Sequence, residues 1–287
     1  NPLINVSENL ISNPSFEEQG CCPQSENNLY CTPGWLYASY ATSDYFHQCG
    51  FFSSIIPLPL PDGEGVMGGI LEPSSLTNTM YCEYLSTCPT STLEAGETYS
   101  MQFNIASCTQ LFGETPNTAP IDITLFGLQS CETNNPLTTT LECPQPFGWY
   151  EMGSVEYQPN CSWSTVSFYF TPTENTNAII LGPSCQFDES YYDLRTWFFY
   201  DQIVLGPPLN FEISQSGGSC IEDLELSVDF SDDLNYQWYF EGVAIAGETT
   251  ASLNLGTVYE SGIYQVRVTD PTNGTCQISE TSVAPLD

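Results

Sequence analysis

The sequence has almost no positive charge: it contains no lysine, two arginines and one histidine, against 35 aspartate and glutamate residues. Its formal net charge is −33. Proteins bind the phosphates of nucleic acids mainly through lysine and arginine, and anionic membrane surfaces attract the same side chains. The composition therefore excludes nucleic acids and anionic membranes as partners, and it leaves divalent cations, cationic polymers and neutral sugars open.

Long hydrophobic runs and helical periodicity are also missing. No apolar run approaches the roughly 18 to 20 residues of a membrane-spanning helix, so we expect no membrane insertion. The sequence starts at Asn1 without a basic and apolar leader, which is typical of a mature secreted form or of an excised fragment.

Motifs for catalysis are scarce as well. His47 is the single histidine, so any Ser-His-Asp or Cys-His mechanism would have to use it. The 35 carboxylates are too abundant to single out one acid/base pair. We therefore expect that the protein is not an enzyme.

Cysteine is plentiful: 13 residues are scattered along the chain rather than grouped as CxxC pairs. This pattern indicates disulfides and an extracellular location. The odd count leaves at least one cysteine free or bonded outside this sequence. Two pairs of cysteines lie close enough in sequence to bridge a loop, namely Cys82 with Cys88 and Cys131 with Cys143. Sequence proximity alone does not determine which cysteines bond. Zinc binding is the alternative for one cluster of cysteine and histidine, but disulfides usually consume such ligands in an oxidising environment. This cluster consists of Cys21, Cys22, Cys31, His47 and Cys49.

Short runs with alternating apolar residues indicate β-strands. Clear examples are 99–105, 121–125, 163–170 and 178–181, each bounded by residues typical of turns. The sequence therefore predicts an all-β protein. Because a stiff Gly206-Pro207-Pro208 segment follows an apolar run, we place a linker there and expect domains at 1–206 and 207–287.

The second domain has a pattern of its own, with Trp238 inside an aromatic run and Gly262-Ile-Tyr264 ahead of Cys276. These features resemble the immunoglobulin-like modules of bacterial surface proteins, in which a tryptophan of the third strand is buried and a tyrosine forms a corner. A Cys220–Cys276 bridge would tie a different pair of strands from the antibody pattern, because Cys276 lies well past Tyr264. The resemblance implies a smaller β-sandwich that acts as a spacer or stalk.

Two stretches at the ends of the first domain, Asn9-Leu-Ile-Ser-Asn-Pro-Ser-Phe-Glu17 and Trp197-Phe-Phe-Tyr-Asp201-Gln-Ile-Val-Leu205, carry a second resemblance. They resemble the first and last strands of jelly-roll, galactose-binding-like carbohydrate-binding modules. The resemblance implies that the two strands pair and that Glu17 and Asp201 approach a shared structural calcium. Calcium prefers six to eight oxygen ligands, which carboxylates and loop carbonyls supply. The alternative is that both residues only cap strand ends.

A narrower resemblance covers residues 9 to about 105. Its motifs include Asn13-Pro-Ser-Phe-Glu-Glu18, Pro33-Gly-Trp35 and Thr42-Ser-Asp-Tyr-Phe-His-Gln-Cys49. They look like the N-terminal module of large surface proteins of bacteria that use type IX secretion and glide. This resemblance implies a cell-surface location and a Cys22–Cys49 disulfide.

Sugar binding would use exposed aromatic faces, because sugar C–H groups stack on rings while amides and carboxylates bind the hydroxyls. Each candidate has the alternative of a place in the core. The candidate ligand-binding residues are Trp35, Tyr37, Tyr40, Trp149, Tyr150 and Trp163.

Together these patterns favour a non-enzymatic extracellular surface protein, an adhesin or filament component with a calcium-stabilised jelly roll and an immunoglobulin-like stalk. Its partner would be a glycan or another surface protein, and assembly into a homo-oligomer or filament stays open. The alternative is a carbohydrate-binding accessory module of a secreted polysaccharide-degrading enzyme. An adhesin should carry further sandwich repeats or a secretion domain beyond Asp287, whereas an accessory module should have a catalytic domain beside it.

Overall fold

A computed structural model describes residues 9–38, 42–73, 80–109, 118–131, 143–186, 188–193, 195–209, 211–217, 224–256, 261–271 and 276–283. These residues form two compact units, 9–207 and 208–283, and the division falls at the Gly206-Pro207-Pro208 segment. Apart from three short 3-10 helices, Leu29–Cys31, Gln145–Phe147 and Glu189–Asp193, the regular structure of the described residues is β-strand. The all-β prediction is confirmed. No described helix is long and apolar enough to cross a membrane.

The first unit is a β-sandwich of two antiparallel sheets. Sheet A has the strand order β1-β5-β10-β7-β8, and sheet B has the order β2-β3-β11-β6-β9, with β4 paired to β3. Its strands are β1 (Trp35–Tyr37), β2 (Asp44–His47), β3 (Gly65–Pro73), β4 (Met80–Cys82), β5 (Leu85–Thr87), β6 (Tyr99–Thr109), β7 (Ile121–Leu128), β8 (Tyr150–Tyr157), β9 (Ser164–Phe170), β10 (Ala178–Pro183) and β11 (Thr196–Gly206).

Alternation along the strands builds the core between the sheets. On β6, Tyr99, Met101, Phe103 and Ile105 are buried in the main hydrophobic cluster, and the polar residues between them lie on the opposite face. This is the period-two pattern of a strand with one face in the core. On β10, whose side chains are all buried, the sequence is a continuous apolar run instead.

The opening stretch lies along β11 but is not a strand, so the implied pairing of two regular strands is corrected. Backbone hydrogen bonds join Leu10 N–H to the Leu205 carbonyl (2.7 Å) and Ile203 N–H to the Pro14 carbonyl (2.9 Å). Regular pairing fails because Pro14 has no N–H, while Asn13 and Phe16 take positive φ values of 51° and 61°.

Asn13 holds this irregular stretch together. Its Nδ2 donates to the carbonyls of Glu18 (2.9 Å) and Pro33 (3.1 Å), and its own carbonyl accepts from Trp35 Nε1 (3.0 Å). Phe16 is fully buried and its ring lies 4.9 Å from that of Trp35. The Asn-Pro-Ser-Phe motif is therefore a structural junction between the start of the unit and β1.

A second apolar cluster covers part of the outer face of sheet B. Phe46, Val66, Trp197 and Phe199 project outward from β2, β3 and β11, and Ile56 from the Pro-rich loop packs on them. The half-buried Trp163 closes this cover, because its Nε1 donates to the Pro57 carbonyl over 2.8 Å. The loop leaves the β6–β9 side of the same face uncovered by this cluster.

Five disulfides lie in the first unit, and they replace two predicted pairings. Cys22–Cys49 is present, as the narrower resemblance over residues 9 to about 105 implies. The two predicted pairings are wrong: Cys82 is a free thiol buried on β4, while Cys88 bonds to Cys131 and Cys143 bonds to Cys185. The described pairs are Cys21–Cys31, Cys22–Cys49, Cys88–Cys131, Cys108–Cys161 and Cys143–Cys185.

These disulfides decide whether the cysteines can bind zinc, and they indicate where the protein folds. All four cysteines of the zinc alternative are consumed by Cys21–Cys31 and Cys22–Cys49, so they cannot act as thiolate ligands. Dense disulfides are typical of proteins that fold in an oxidising environment, which supports an extracellular location. Cys276 is exposed and free, and its predicted partner Cys220 lies outside the described residues.

The second unit is a smaller sandwich with sheet orders β12-β13-β16 and β15-β14-β17-β18. Trp238 on β14 is fully buried, as predicted, and its Nε1 donates to the Thr250 carbonyl over 2.9 Å. Tyr264 packs in the same core. The strands are β12 (Ser214–Ser216), β13 (Glu225–Ser227), β14 (Asn235–Phe240), β15 (Val243–Ala244), β16 (Ser252–Asn254), β17 (Gly262–Thr269) and β18 (Cys276–Val283).

Candidate functional site

A patch of neutral polar side chains lies on the outer face of sheet B, where β9, β6 and β11 run side by side. Asn104 pairs across the sheet with Thr165 on one side and Asp201 on the other, and Gln102 pairs with Ser167. Their neighbours along the strands point into the core, so these side chains lie on the outer face. We call the following set the polar face: Gln102, Asn104, Thr165, Ser167, Tyr169 and Gln202.

Hydrogen bonds hold part of the polar face in place. Thr165 Oγ1 donates to Asn104 Oδ1 over 2.6 Å, and Asn104 Nδ2 donates to the Oε1 of Gln202. Gln202 lies in a β-bulge of β11 with a positive φ of 49°. Bulges re-aim side chains, and here the bulge brings a second amide beside Asn104.

Tyr169 supplies the aromatic surface of the polar face. Its side chain is 54% exposed, among the highest values for large apolar residues of the first unit. The positions beside it across the sheet are Ser100 on β6 and then Gly206 on β11, so no large side chain of those two strands covers the ring. A flat exposed ring next to amides has the chemistry of a sugar-binding surface.

The six side chains of the polar face are all neutral. The carboxyl of Asp201 lies beside Asn104 across the sheet but is fully buried. Amides and hydroxyls both donate and accept hydrogen bonds, as sugar hydroxyls do. A neutral ligand could therefore bind here without removing water from a carboxylate, which would be costly.

Glu17 and Asp201, the two predicted calcium ligands, converge on the turn formed by residues 62–65. Oε1 of Glu17 accepts hydrogen bonds from the backbone N–H of Glu64 (2.9 Å) and of Gly65 (2.6 Å). Oδ2 of Asp201 accepts from Asp62 N–H over 3.1 Å, and Oδ1 accepts from Gln202 N–H over 2.7 Å. One turn thus ties together the two ends of the first unit.

Asp201 carries the strongest electrostatic perturbation near this turn. Burial is the main cause that raises the pKa of its carboxyl to about 8; the charges of Asp62 and Glu17 act in the same direction, and the two backbone hydrogen bonds act in the opposite direction. Within the described residues, the side chain forms no salt bridge; the neighbouring Glu17 carboxylate has its Oε2 4.0 Å from His47 Nε2. The carboxyl is therefore neutral at moderate pH unless a cation joins it.

A divalent cation fits this chemistry only in part. A buried carboxylate without a cationic partner favours the binding of a divalent cation, and calcium takes oxygen ligands from carboxylates, backbone carbonyls and water. However, no group of three or more histidine, cysteine, aspartate or glutamate side chains in the described part of the chain is arranged to hold a metal ion. Calcium at Glu17 and Asp201 would thus need backbone carbonyls or water for the rest of its shell.

Two other buried carboxyls lie near β2 and β4. Burial raises the pKa of Asp44 to about 7, and burial together with Asp44 raises the pKa of Glu83 well above its usual value. Asp44 Oδ1 accepts from Asn27 N–H (2.7 Å), while Glu83 accepts from Ile70 N–H (3.1 Å) and from the Tyr81 hydroxyl (3.0 Å). Because protein donors already bind them, we assign these carboxyls a structural role.

The predicted ligand-binding aromatic residues do not form a site together. Trp35 and Trp149 are 6% and 2% exposed and pack in the main core, so the expectation that they stack on a sugar is corrected. Tyr37 is half-buried, with its hydroxyl on the Asn27 carbonyl (2.6 Å), and Tyr150 is half-buried, with its hydroxyl on the Glu174 carbonyl (2.9 Å). Tyr40 lies outside the described residues.

The residues that form the polar face were missed by the sequence analysis, although a signal for them exists. The run Tyr99–Ile105 alternates, and its outward positions are serine, glutamine and asparagine rather than acidic residues. The rest of the site needs β9 and β11 on either side of β6, and this strand order is a property of the fold.

Comparisons with known proteins give loose likenesses only. No family model matches the chain, and no curated protein does. The solved structure of TmCBM61 with β-1,4-galactotriose is 15% identical, covering 69% of this chain and 98% of its own, with a TM-score of 0.34. The N-terminal cellulose-binding domain of Cellulomonas fimi β-1,4-glucanase C is 12% identical over 65% and 97%, with a TM-score of 0.32. The adhesin domain of Epf from Streptococcus pyogenes is 8% identical over 99% and 97%, with a TM-score of 0.34. Likenesses at these levels assign no function to this chain.

Proposed function

We propose that residues 9–207 form a non-catalytic, extracellular glycan-binding module whose ligand is a neutral oligosaccharide held on the polar face. The observation that carries this proposal is an exposed tyrosine ring on the same sheet face as three side-chain amides, in a row of side chains that are all neutral. Tyr169 would stack on one sugar ring, with Gln102 as the nearest amide. Asn104 and Gln202, which lie about four residues further along the strands, would exchange hydrogen bonds with the hydroxyls of a following sugar unit.

We further propose that calcium stabilises this module rather than taking part in sugar binding. Glu17 and Asp201 would hold the ion at the 62–65 turn, which they already contact through backbone hydrogen bonds. The ion would neutralise the buried Asp201 carboxylate and fix the turn that precedes β3.

The setting of the module is proposed from the sequence resemblances. They favour a cell-surface adhesin or filament component of bacteria with type IX secretion, with residues 208–287 as an immunoglobulin-like stalk. The same polar face would serve an accessory module of a secreted polysaccharide-degrading enzyme equally well. Sequencing the gene on both sides of this chain separates the two, because only the accessory module needs a catalytic domain beside it.

The test of sugar binding is a glycan array followed by calorimetry with the best neutral oligosaccharide. We expect binding by the whole chain, and we expect Tyr169→Ala and Gln102→Ala each to weaken it about tenfold, since a stacked ring or a pair of hydrogen bonds contributes about 1 kcal/mol or more.

The matched control is Tyr30→Ala, which removes a tyrosine that is 70% exposed and lies far along the chain from the polar face. It should leave the affinity unchanged. The proposal is overturned if the folded protein binds no neutral glycan, or if Tyr30→Ala and Tyr169→Ala weaken binding equally.

A further inference from the structure

The second unit contains a surface pocket of about 410 Å³. This volume lies within the range of roughly 300 to 1,000 Å³ that ligand pockets occupy. The pocket lies between the segment that joins β13 to β14 and the segment that leads into β16. Its lining is Val228, Phe230, Ser231, Asp232, Leu234, Tyr236, Thr249, Thr250, Ala251 and Ser252.

One wall of the pocket is an aromatic stack with an open face. The rings of Phe230 and Tyr236 are nearly parallel, with centroids 6.4 Å apart and 17° between their planes. Tyr236 is 5% exposed and its hydroxyl is bound at 3.1 Å to the Asp229 carbonyl, so this ring is fixed. Phe230 is 60% exposed, which is unusual for a phenylalanine and leaves a large part of its ring available to a partner.

The floor and the rim differ in polarity. Leu234 and Ala251 are 9% and 8% exposed and give the pocket an apolar floor. The rim carries the exposed carboxylate of Asp232. Burial raises the pKa of the Tyr236 hydroxyl, and the charges of Asp229 and Asp232 act in the same direction, which is consistent with both carboxylates lying near the pocket.

Among the described residues, no lysine, arginine or histidine side chain lines this pocket. The chain has no lysine, and its two arginines are Arg195, which pairs with Glu72 at 3.2 Å in the first unit, and Arg267 on β17. Neither belongs to the lining. A positively charged occupant would therefore come from another molecule, and the net charge of −33 would draw it in.

We propose that this pocket binds one basic side chain, lysine or arginine, on the surface of a partner protein. Such side chains have an apolar stem and a charged head, which match an apolar floor and an acidic rim. The stem would lie along Leu234 and Ala251, and the head would meet Asp232 beside the open face of Phe230 in a cation–π contact. The pocket is in a different unit from the polar face, so this role is separate from the proposed glycan binding.

The test uses small probes, because a chain this acidic attracts any long polycation. The whole chain is titrated with acetyl-Gly-Arg-Gly-amide, acetyl-Gly-Lys-Gly-amide and acetyl-Gly-Gln-Gly-amide at physiological salt, and backbone amide shifts are followed by NMR. We expect the two basic peptides to shift signals of residues 228–236 and 249–252, and the glutamine peptide to shift none. Asp232→Asn and Phe230→Ala should each reduce the affinity about two- to fivefold, the range expected for a weak exposed charge or cation–π contact.

Glu97→Gln is the matched control, because it removes the same single charge from an exposed position of the first unit. It should leave the affinity and the shifted residues unchanged. The proposal is overturned if basic peptides shift signals over the whole acidic surface, or if Glu97→Gln weakens binding as much as Asp232→Asn. It is also overturned if a neutral oligosaccharide, and neither basic peptide, shifts the pocket signals.

Discussion

Ionisation of Asp201 should make the folded protein less stable as the pH rises. The carboxyl is fully buried and its pKa in the folded chain is about 8, against 3.8 for an ordinary aspartate. Between these two values the folded state binds a proton that the unfolded state has released. The free energy of unfolding therefore falls as the pH rises, by about 1.4 kcal/mol per pH unit for one such group.

The full effect of this one group is large on the scale of protein stability. Its contribution is complete below about pH 4 and is lost progressively up to about pH 8, for a total of up to about 6 kcal/mol. Small domains have a total stability of about 5 to 15 kcal/mol, so the change should be easy to measure.

Asp201→Asn isolates the contribution of Asp201 from those of Asp44 and Glu83. The amide cannot ionise, and it can still accept one of the two backbone hydrogen bonds, from Asp62 or from Gln202. Losing the other bond costs about 1 kcal/mol at every pH and does not change the slope. Urea unfolding of both proteins from pH 4 to pH 8 should show the difference in unfolding free energy shifting steadily toward the variant. A difference that stays constant with pH would refute the reasoning.

Calcium provides a second arm of the same experiment. If calcium binds the ionised Asp201 carboxylate in the folded state alone, it should stabilise the unaltered protein most at pH 8 and flatten its pH dependence. Asp201→Asn should show a much smaller gain, as should Glu17→Ala. Identical melting of the unaltered protein with calcium and with a chelator at pH 8 would remove the calcium proposal while leaving the pH argument intact.

Two further predictions concern the architecture. The disulfide Cys108–Cys161 closes a loop with a sequence separation of 53. The double change Cys108→Ala, Cys161→Ala should therefore lower the free energy of unfolding, measured in urea, by about 4 kcal/mol. A loss below about 1 kcal/mol would contradict the loop-closure argument. Gly182→Ala would place a Cβ 2.5 Å from the buried Tyr84 ring and should lower the stability by about 1 to 3 kcal/mol, whereas Gly20→Ala, whose nearest atom is 3.7 Å away, should be close to neutral in the same assay.

Local patterns were enough to predict the strands, because alternation is a property of each strand by itself. The outward and inward positions of β6 can be read from Tyr99–Ile105. The burial of Trp238 was predicted from the resemblance to immunoglobulin-like modules. The disulfide Cys22–Cys49 followed from a resemblance that spans both cysteines.

The mispredicted features depend on which strands become neighbours. Cys88 and Cys131 are 43 residues apart in sequence, yet bonded, so sequence proximity was a poor guide to pairing. Trp35 was expected among the exposed aromatic residues that would stack on a sugar, but Phe16 and the Asn13 carbonyl hold it in the core. The polar face needs three strands that are distant in sequence, so only the sheet order reveals it.

The disulfides of the first unit also determine how that unit would respond to mechanical force. Cys88–Cys131, Cys108–Cys161 and Cys143–Cys185 overlap along the sequence, so a pull along the chain passes through the first and last of them. Only the 12-residue step from Cys131 to Cys143 could then extend, by about 40 Å at roughly 3.5 Å per residue, where the uncrosslinked stretch from Cys88 to Cys185 would give about 340 Å. The stretch from Cys88 to Cys185 is therefore a nearly inextensible part of the first unit under tension, and a thiol reductant would make that stretch extensible.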